Sequence, residues 1–125
     1  MSEPTDSEID RLFRAAQAAQ RAAYAPYSGF RVGAAVLSGD GLIVTGCNVE
    51  NAAYPQGVCA EAGAISAMAL AGQRRLRAAL VLGEGEALVT PCGGCRQKLR
   101  EFCAPDAVVL VAGPQGLRAR FTLAE

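Results

Sequence analysis

A pair of cysteines separated by two residues is the first feature of the chain that could do chemistry. Cys92 and Cys95 lie in the stretch PCGGC at 91–95, where a predicted helix begins. Residues i and i+3 share one face of a helix, and the backbone N–H groups at a helix start lower the pKa of nearby thiols. The pair could bind a metal ion, form a dithiol redox couple or consist of buried structural residues. The redox interpretation is the weaker one, because it expects the pair in the first βα unit of a thioredoxin fold and Cys92 lies late in the chain.

A third cysteine and a glutamate occur at the start of another predicted helix. Cys59 is its first residue, and Glu61 follows among alanine, glycine and isoleucine residues. A glutamate at a helix start is most commonly exposed and stabilised by the helix dipole. If both helices belong to crossover connections on one sheet, their amino ends point the same way, and Cys59, Cys92 and Cys95 can meet at one edge of the strands.

Three thiolates around one zinc ion would leave the fourth position of the ion open to water. A carboxylate that is not itself a ligand, here Glu61, could then move the proton of that water, which is the arrangement of a hydrolytic metal centre. A purely structural zinc would instead need a fourth protein ligand. Because the chain contains no histidine, the candidates are Cys47, Cys103 or a carboxylate.

The elements that must position these residues are predicted in the order αββαβαββ, in one domain covering residues 1–125. Thr5 and Glu8 form a capping-box pattern at the start of the first helix, which is predicted to run to about Tyr24. This alternation predicts an α/β fold, a three-layer α/β/α sandwich with a mixed five-stranded central sheet. The later segments are strands at 32–37 and 42–47, a helix at 59–71, a strand at 77–82 that residues 87–90 extend or follow, a helix at 95–102 after Pro91, and strands at 107–112 and 117–121.

Composition argues against several classes of function. Twelve Lys and Arg residues balance twelve Asp and Glu residues, so no net positive field is available for binding DNA or RNA. The longest uncharged run, residues 62–73, is too short to cross a bilayer, and the acidic start of the chain lacks a secretory pattern; we therefore expect a soluble cytoplasmic protein. Apolar residues make up 51% of this small chain, which indicates self-association.

The cysteine-containing stretches are similar to a known zinc signature. The motifs CAE at 59–61 and PCGGC at 91–95 together resemble the zinc-binding motif of nucleoside deaminases. The resemblance extends to YAPYSGFRVGAA at 24–35 and GCNVENAAY at 46–54, which look like the small homotetrameric cytidine deaminases. Four stretches in the order of that family are far more specific than either metal motif alone.

The resemblance implies a chemistry for the metal site. Cys59, Cys92 and Cys95 would ligate one zinc ion per chain, whose Lewis acidity lowers the pKa of bound water so that hydroxide can attack C4 of the pyrimidine. Glu61 would take the proton of the water, pass it to ring N3 and later to the leaving amine. Cytidine and deoxycytidine would be converted to uridine and deoxyuridine, with release of ammonia, as in pyrimidine salvage.

The resemblance also implies which residues bind the nucleoside. Asn48 and Glu50 match the ribose-binding pair of the family, and positions i and i+2 of an extended segment face the same way. Phe30 matches the aromatic residue that packs on the base, and the backbone N–H of Ala60 matches a donor to the ring carbonyl. Tyr54 matches a residue that lines the site of a neighbouring subunit. Without the resemblance, the first pair would be ordinary turn residues and the two aromatic residues would be assigned to the core.

Two differences from the family pattern affect these expectations. Ala62 stands where many members with three cysteine ligands carry an arginine that hydrogen-bonds the ligand sulfurs. Backbone N–H groups of the helices, together with Arg96, would then have to offset the negative charge of the thiolates. The sequence also stops before the Leu-Leu-Pro and later phenylalanine that are usual in the family, so we expect a less closed site between subunits.

The expected substrate is a free nucleoside, because the sequence shows no basic or glycine-rich cradle for phosphate. The resemblance adds the expectation of a homotetramer. Two alternatives stay open at this point. One is an enzyme for another aminopyrimidine nucleoside, such as a nucleoside antibiotic, and the other is a non-catalytic module with a structural zinc.

Overall fold

The computed structural model of the chain describes residues 3–53, 56–84 and 93–122, of which 93–96, 104–106 and 121 are described by their backbone alone. Within these ranges, three helices and five strands occur in the predicted order. Their bounds are α1 Asp6–Gln20, β1 Gly33–Ser38, β2 Ile43–Cys47, α2 Ala60–Leu70, β3 Leu76–Leu82, α3 Gly93–Phe102, β4 Cys103–Gly113 and β5 Gly116–Thr122.

The strands form one mixed sheet in the order β2-β1-β3-β4-β5. Strand β1 is antiparallel to both of its neighbours, β2 and β3, so these two run in the same direction. Strand β4 is parallel to β3, and β5 returns antiparallel to β4. Strands β2, β3 and β4 therefore end at the same edge of the sheet, which we call the carboxyl edge.

Helices cover both faces of the sheet, which confirms the predicted three layers. Alternate residues of β1 point to opposite faces. Ala34 and Val36 belong to a core that includes residues of α2 and α3, whereas Ala35 and Leu37 belong to a second core that includes residues of α1. All six residues of β1 are buried, as expected for a strand covered on both faces.

Helix α1 begins as predicted but ends four residues earlier than expected. The backbone N–H of Thr5 donates to Glu8, and the backbone N–H of Glu8 donates back to the Thr5 hydroxyl, which completes the capping box. The helix ends at Gln20 rather than near Tyr24. The reason is tertiary: the N–H of Tyr24 donates to the carbonyl of Asn48 at 3.0 Å, so this part of the chain pairs with the segment after β2.

The remaining predicted elements are found within four residues of their expected bounds. The hairpin between β1 and β2 turns at Gly41, and α2 is followed by Gly72; both glycines have a φ of +88°. Residues 87–90 and Pro91 lie outside the described residues. In the described part of the chain, no helix combines the length and apolar character needed to span a membrane.

Candidate active site

The amino ends of α2 and α3 lie at the carboxyl edge. Helix α2 follows β2 and helix α3 follows β3, and these two strands run in the same direction. Both helices contribute to one buried core on the same face of the sheet, where Ala64 of α2 and Leu99 of α3 are fully buried. Both helices thus belong to crossover connections on one sheet, which is the condition under which the helix starts that carry the cysteines meet at one edge.

Helix α2 lies unusually close to β2. A Cβ atom added to Gly46 would lie 2.3 Å from the backbone nitrogen of Ala64 and 2.4 Å from the carbonyl oxygen of Ala60. Only a glycine permits this approach. Gly46 thereby sets the position of the helix turn that carries Cys59 and Glu61.

Cys59 occupies the N-cap position of α2, with an extended backbone at φ −79° and ψ 159°. Its side chain is half-buried and is disulfide-bonded. Among the described residues the free thiols are Cys47 and Cys103. A zinc ion bound at the start of α2 would require the Cys59 sulfur in its reduced, deprotonated form.

Glu61, in the first turn of α2, is only 5% exposed. Burial raises the pKa of this carboxyl group, and a hydrogen bond from the backbone N–H of Glu61 partly opposes the rise. The alternative of an exposed helix-start acid is therefore wrong, because α2 packs this side of its first turn against the protein. A buried carboxyl group with a raised pKa is a typical feature of acid–base sites.

Of the three predicted zinc ligands, only Cys59 has a described side chain. Cys92 is outside the described residues, and Cys95 is described only as a backbone position in the first turn of α3. In the described part of the chain, no group of three or more cysteine or acidic side chains could hold a metal ion. The donor that is described fits zinc in its chemistry, since a thiolate at a helix start is a common zinc ligand.

The two remaining cysteines differ in position. Cys103 pairs with Leu76 at the beginning of β3, which is the edge of the sheet opposite the carboxyl edge. Burial also raises the pKa of the Cys103 thiol to about 12, so it stays protonated. Cys47 ends β2 at the carboxyl edge. Of the two cysteine candidates for a fourth structural ligand, Cys103 is therefore excluded by its position.

Asn48 follows β2 directly and binds the segment that precedes β1. Its side-chain oxygen accepts from the backbone N–H of Val32, and its side-chain nitrogen donates to the carbonyl of Phe30, both at 2.9 Å. Because β1 begins opposite the end of β2, this segment also lies at the carboxyl edge. Asn48 therefore fixes the backbone that directly follows the half-buried Phe30 side chain.

Glu50 binds the same segment two residues further on. Its Oε1 accepts from the backbone N–H groups of Tyr27 at 3.0 Å and Ser28 at 3.1 Å, and its Oε2 accepts from the Ser28 hydroxyl. These hydrogen bonds, led by the one from the Ser28 side chain, lower the pKa of Glu50. Asn48 and Glu50 thus face the same way, as their spacing predicts.

Of the other residues expected in the site, Ala60 is fully buried as the first residue of α2. Tyr54 lies outside the described residues.

Two features near the site were not predicted from the sequence. One is Ser28, and the other is the ion pair between Arg31 and Glu84, whose Nε and Oε1 atoms are 2.7 Å apart. No local sequence pattern distinguishes Ser28 from any other exposed serine in a turn, so only its hydrogen bonds to Glu50 and Phe30 connect it to the site.

Comparisons with known proteins agree with this geometry. Residues 6–111 match the family model described as the cytidine and deoxycytidylate deaminase zinc-binding region. A cytidine deaminase of Mycobacterium tuberculosis is 53% identical over 105 residues, which cover 83% of this chain and 78% of the relative. A cytidine deaminase of Sporosarcina psychrophila is 40% identical over 109 residues, covering 87% and 80%.

Solved structures show the same fold. The crystal structure of a cytidine deaminase from Burkholderia pseudomallei superposes with a TM-score of 0.85 at 41% identity, and covers 92% of both chains. That from Mycobacterium leprae has a TM-score of 0.78 at 41% identity, with the same coverage. On the match over residues 6–111 and on these relatives, the chain belongs to the cytidine and deoxycytidylate deaminase family.

Proposed function

We propose that this chain hydrolyses the exocyclic amine of cytidine and deoxycytidine, giving uridine or deoxyuridine and ammonia. The observation that carries the proposal is the buried Glu61, two residues after Cys59 at the amino end of α2, in a member of the deaminase family. Such a reaction serves pyrimidine salvage, which we place in the cytoplasm. The phosphate-free nucleoside fits the balanced charge of the chain.

One zinc ion per chain would be held by Cys59, Cys92 and Cys95, and when bound it supplies the Lewis acidity that activates a water molecule. The family model's zinc-binding description supports this cofactor. Ala62 offers no side-chain donor to the ligand sulfurs. We assign compensation of the thiolate charge to backbone N–H groups at the starts of α2 and α3, together with Arg96.

Glu61 is the proton carrier in this reaction. It takes a proton from the water that adds to C4, delivers a proton to ring N3, and transfers one to the amine as the C4–N4 bond breaks. Each step needs a carboxyl group that can hold and release a proton near neutral pH. The raised pKa that follows from burial brings Glu61 toward that range.

The other site residues bind the nucleoside. Phe30 packs on the base, the backbone N–H of Ala60 donates to the ring carbonyl, and Asn48 and Glu50 bind a sugar hydroxyl. Tyr54 contributes to the site of a neighbouring subunit in a homotetramer. Support comes from the common placement of Phe30, Asn48 and Glu50 at the carboxyl edge.

Replacement of Glu61 by glutamine tests the proposed function. The E61Q variant should bind zinc at the same ratio per chain as the wild type, but its kcat for cytidine should fall by about 100-fold or more, because the proton carrier is gone. The loss of cytidine absorbance and the zinc content per chain are the two measurements. The matched control is E101Q, at an exposed position on α3, which should retain wild-type activity.

Equal rates in the wild type and E61Q with zinc bound would remove Glu61 from the mechanism. A wild-type protein that binds zinc but leaves both cytidine and deoxycytidine unchanged would refute the proposed substrates. Turnover of another aminopyrimidine nucleoside in the same assay would then identify the alternative enzyme.

A further inference from the structure

Ser28 connects two of the residues that the proposed function assigns to the nucleoside. Its hydroxyl donates to Oε2 of Glu50 and accepts from the backbone N–H of Phe30 at 3.0 Å. The backbone N–H of Ser28 donates to Oε1 of the same carboxylate at 3.1 Å. One exposed serine therefore contacts both the acidic side chain and the aromatic residue's backbone.

The turn that presents Ser28 is held from both sides. Gly29 adopts a φ of +71°, and its N–H donates to the carbonyl of Ala25 at 2.9 Å. A residue with a Cβ would be strained at this φ, so the glycine lets the chain reverse between Ser28 and Phe30. On the far side, Asn48 binds the backbone of Phe30. The position of the Phe30 ring thus depends on contacts from Ser28 and from the 48–50 segment.

The Glu50 carboxylate has an acceptor position that a ligand can use. A carboxylate offers about four acceptor positions. Among the described residues, Oε1 accepts from the N–H groups of Tyr27 and Ser28, and Oε2 accepts from the Ser28 hydroxyl. After these contacts within the described part of the chain, one acceptor position, on Oε2, remains for a hydroxyl donor. The Ser28 bond to the same oxygen fixes the direction in which that position points.

We propose that Ser28 is a positioning residue, which orients Glu50 toward a sugar hydroxyl and Phe30 toward the base of the bound nucleoside. This inference rests on the proposed function, because it assumes that Glu50 and Phe30 contact the nucleoside. Ser28 itself touches no reacting atom. Its removal weakens the binding of substrate and transition state alike, so KM rises while kcat stays nearly constant.

The test is steady-state deamination of cytidine by wild type, S28A and S28T. S28A should raise KM by roughly five- to twenty-fold, as expected for the loss of a hydrogen bond to a charged group, with kcat changed by less than about twofold. S28T keeps a hydroxyl at the same position and should restore KM to within about threefold of wild type. The matched control is S7A, an exposed serine on α1, which should leave both constants unchanged.

A second background tests whether Ser28 acts through Glu50. In the E50Q variant the charged acceptor is gone and the contact of Ser28 with the Phe30 backbone remains, so adding S28A should raise KM by a smaller factor than it does in the wild-type background. S28A and wild type should bind the same amount of zinc per chain. Their melting temperatures should agree to within about 2 °C, since the turn is exposed.

Each contrary result has a distinct meaning. A KM within twofold of wild type in S28A, or an equal rise in KM in the wild-type and E50Q backgrounds, would overturn the positioning role. A fall in kcat together with loss of zinc or of melting temperature would assign Ser28 a merely structural role and would also overturn it. If the wild-type protein does not deaminate cytidine, the proposed function itself is refuted.

Discussion

Two glutamates at the carboxyl edge have pKa values shifted in opposite directions. Burial raises the pKa of Glu61, whereas hydrogen bonds from Ser28 and Tyr27 lower the pKa of Glu50. Opposite shifts in one site separate the roles of two like groups. In the proposed function, the first carboxyl group carries a proton, and the second stays ionised and accepts a hydrogen bond from a sugar hydroxyl.

A third glutamate shows how a single pair can stabilise the scaffold. Glu8 accepts two hydrogen bonds from the Arg77 guanidinium, both at 3.1 Å, and the two side chains are only 18% and 11% exposed. Hydrogen bonds from the Thr5 backbone, followed by those from Arg77, lower the pKa of Glu8 below 4.5. This pair joins the start of α1 to β3.

Replacing Glu8 by glutamine should lower the free energy of unfolding by about 1 kcal/mol at about pH 7. Because the folded-state pKa is depressed, the stabilisation is complete above 4.5 and is lost as the pH falls through the folded-state value. The difference between wild type and E8Q should therefore shrink toward about pH 3, as measured by urea unfolding at several pH values.

The control for this experiment is D10N, which removes an exposed ion pair with Arg14 on the same helix. Its effect should stay below about 0.5 kcal/mol at every pH. A difference between wild type and E8Q that grew on acidification would contradict the assigned shift.

At the scale of elements, the site depends on the contact between β2 and α2. Gly46 and Gly63 face each other there, but they tolerate a side chain differently. A Cβ on Gly46 would overlap backbone atoms of α2, whereas a Cβ on Gly63 would meet its nearest neighbour, the Cα of Gly46, at 3.5 Å, an ordinary contact. Two alanine substitutions on opposite sides of one contact should thus have unlike effects.

We expect G46A to lower the free energy of unfolding by about 2 kcal/mol or more and to reduce zinc binding and activity, because the start of α2 must shift. G63A should change stability by less than about 1 kcal/mol, with a favourable contribution from the helix propensity of alanine. Denaturant unfolding and zinc content measure both variants. Equal losses in the two would show that the close approach does not set the position of Cys59 and Glu61.

Local patterns predicted most elements correctly, and the early end of α1 shows what such patterns miss. The capping box of Thr5 and Glu8 and the glycine turns act within a few residues, so they can be read directly from the chain. The early end of α1 depends instead on the pairing of Tyr24 with a segment more than twenty residues away. Helix periodicity contains no information about such a partner.

At the scale of the whole molecule, several large apolar side chains remain on the surface. Tyr24, Val49 and Val58 are each about half exposed and lie on neighbouring backbone segments joined by β-bridges. Leu70, at the end of α2, is 90% exposed. The exposed apolar side chains of Tyr24, Val49 and Val58 are of the kind found at subunit interfaces, which supports the proposed homotetramer.

Sedimentation equilibrium at micromolar concentration tests this assembly. We expect a mass about four times the 12.9 kDa of the chain. The mass should persist at about 0.5 M salt, because burial of apolar surface is not screened as surface ion pairs are. A species of one chain mass under both conditions would contradict the proposed tetramer.

The amino-acid sequence by itself determined the order of the elements and the three-layer fold, and it supplied the stretches in which the proposed site lies. Capping, periodicity, turn residues and cysteine spacing are all local properties. The tertiary structure alone decided that Glu61 is buried, that Cys103 lies at the wrong edge for a ligand, and that Ser28 binds Glu50. Each of these facts depends on which distant segments become neighbours, and burial and hydrogen-bond partners exist only once the sheet has brought those segments together.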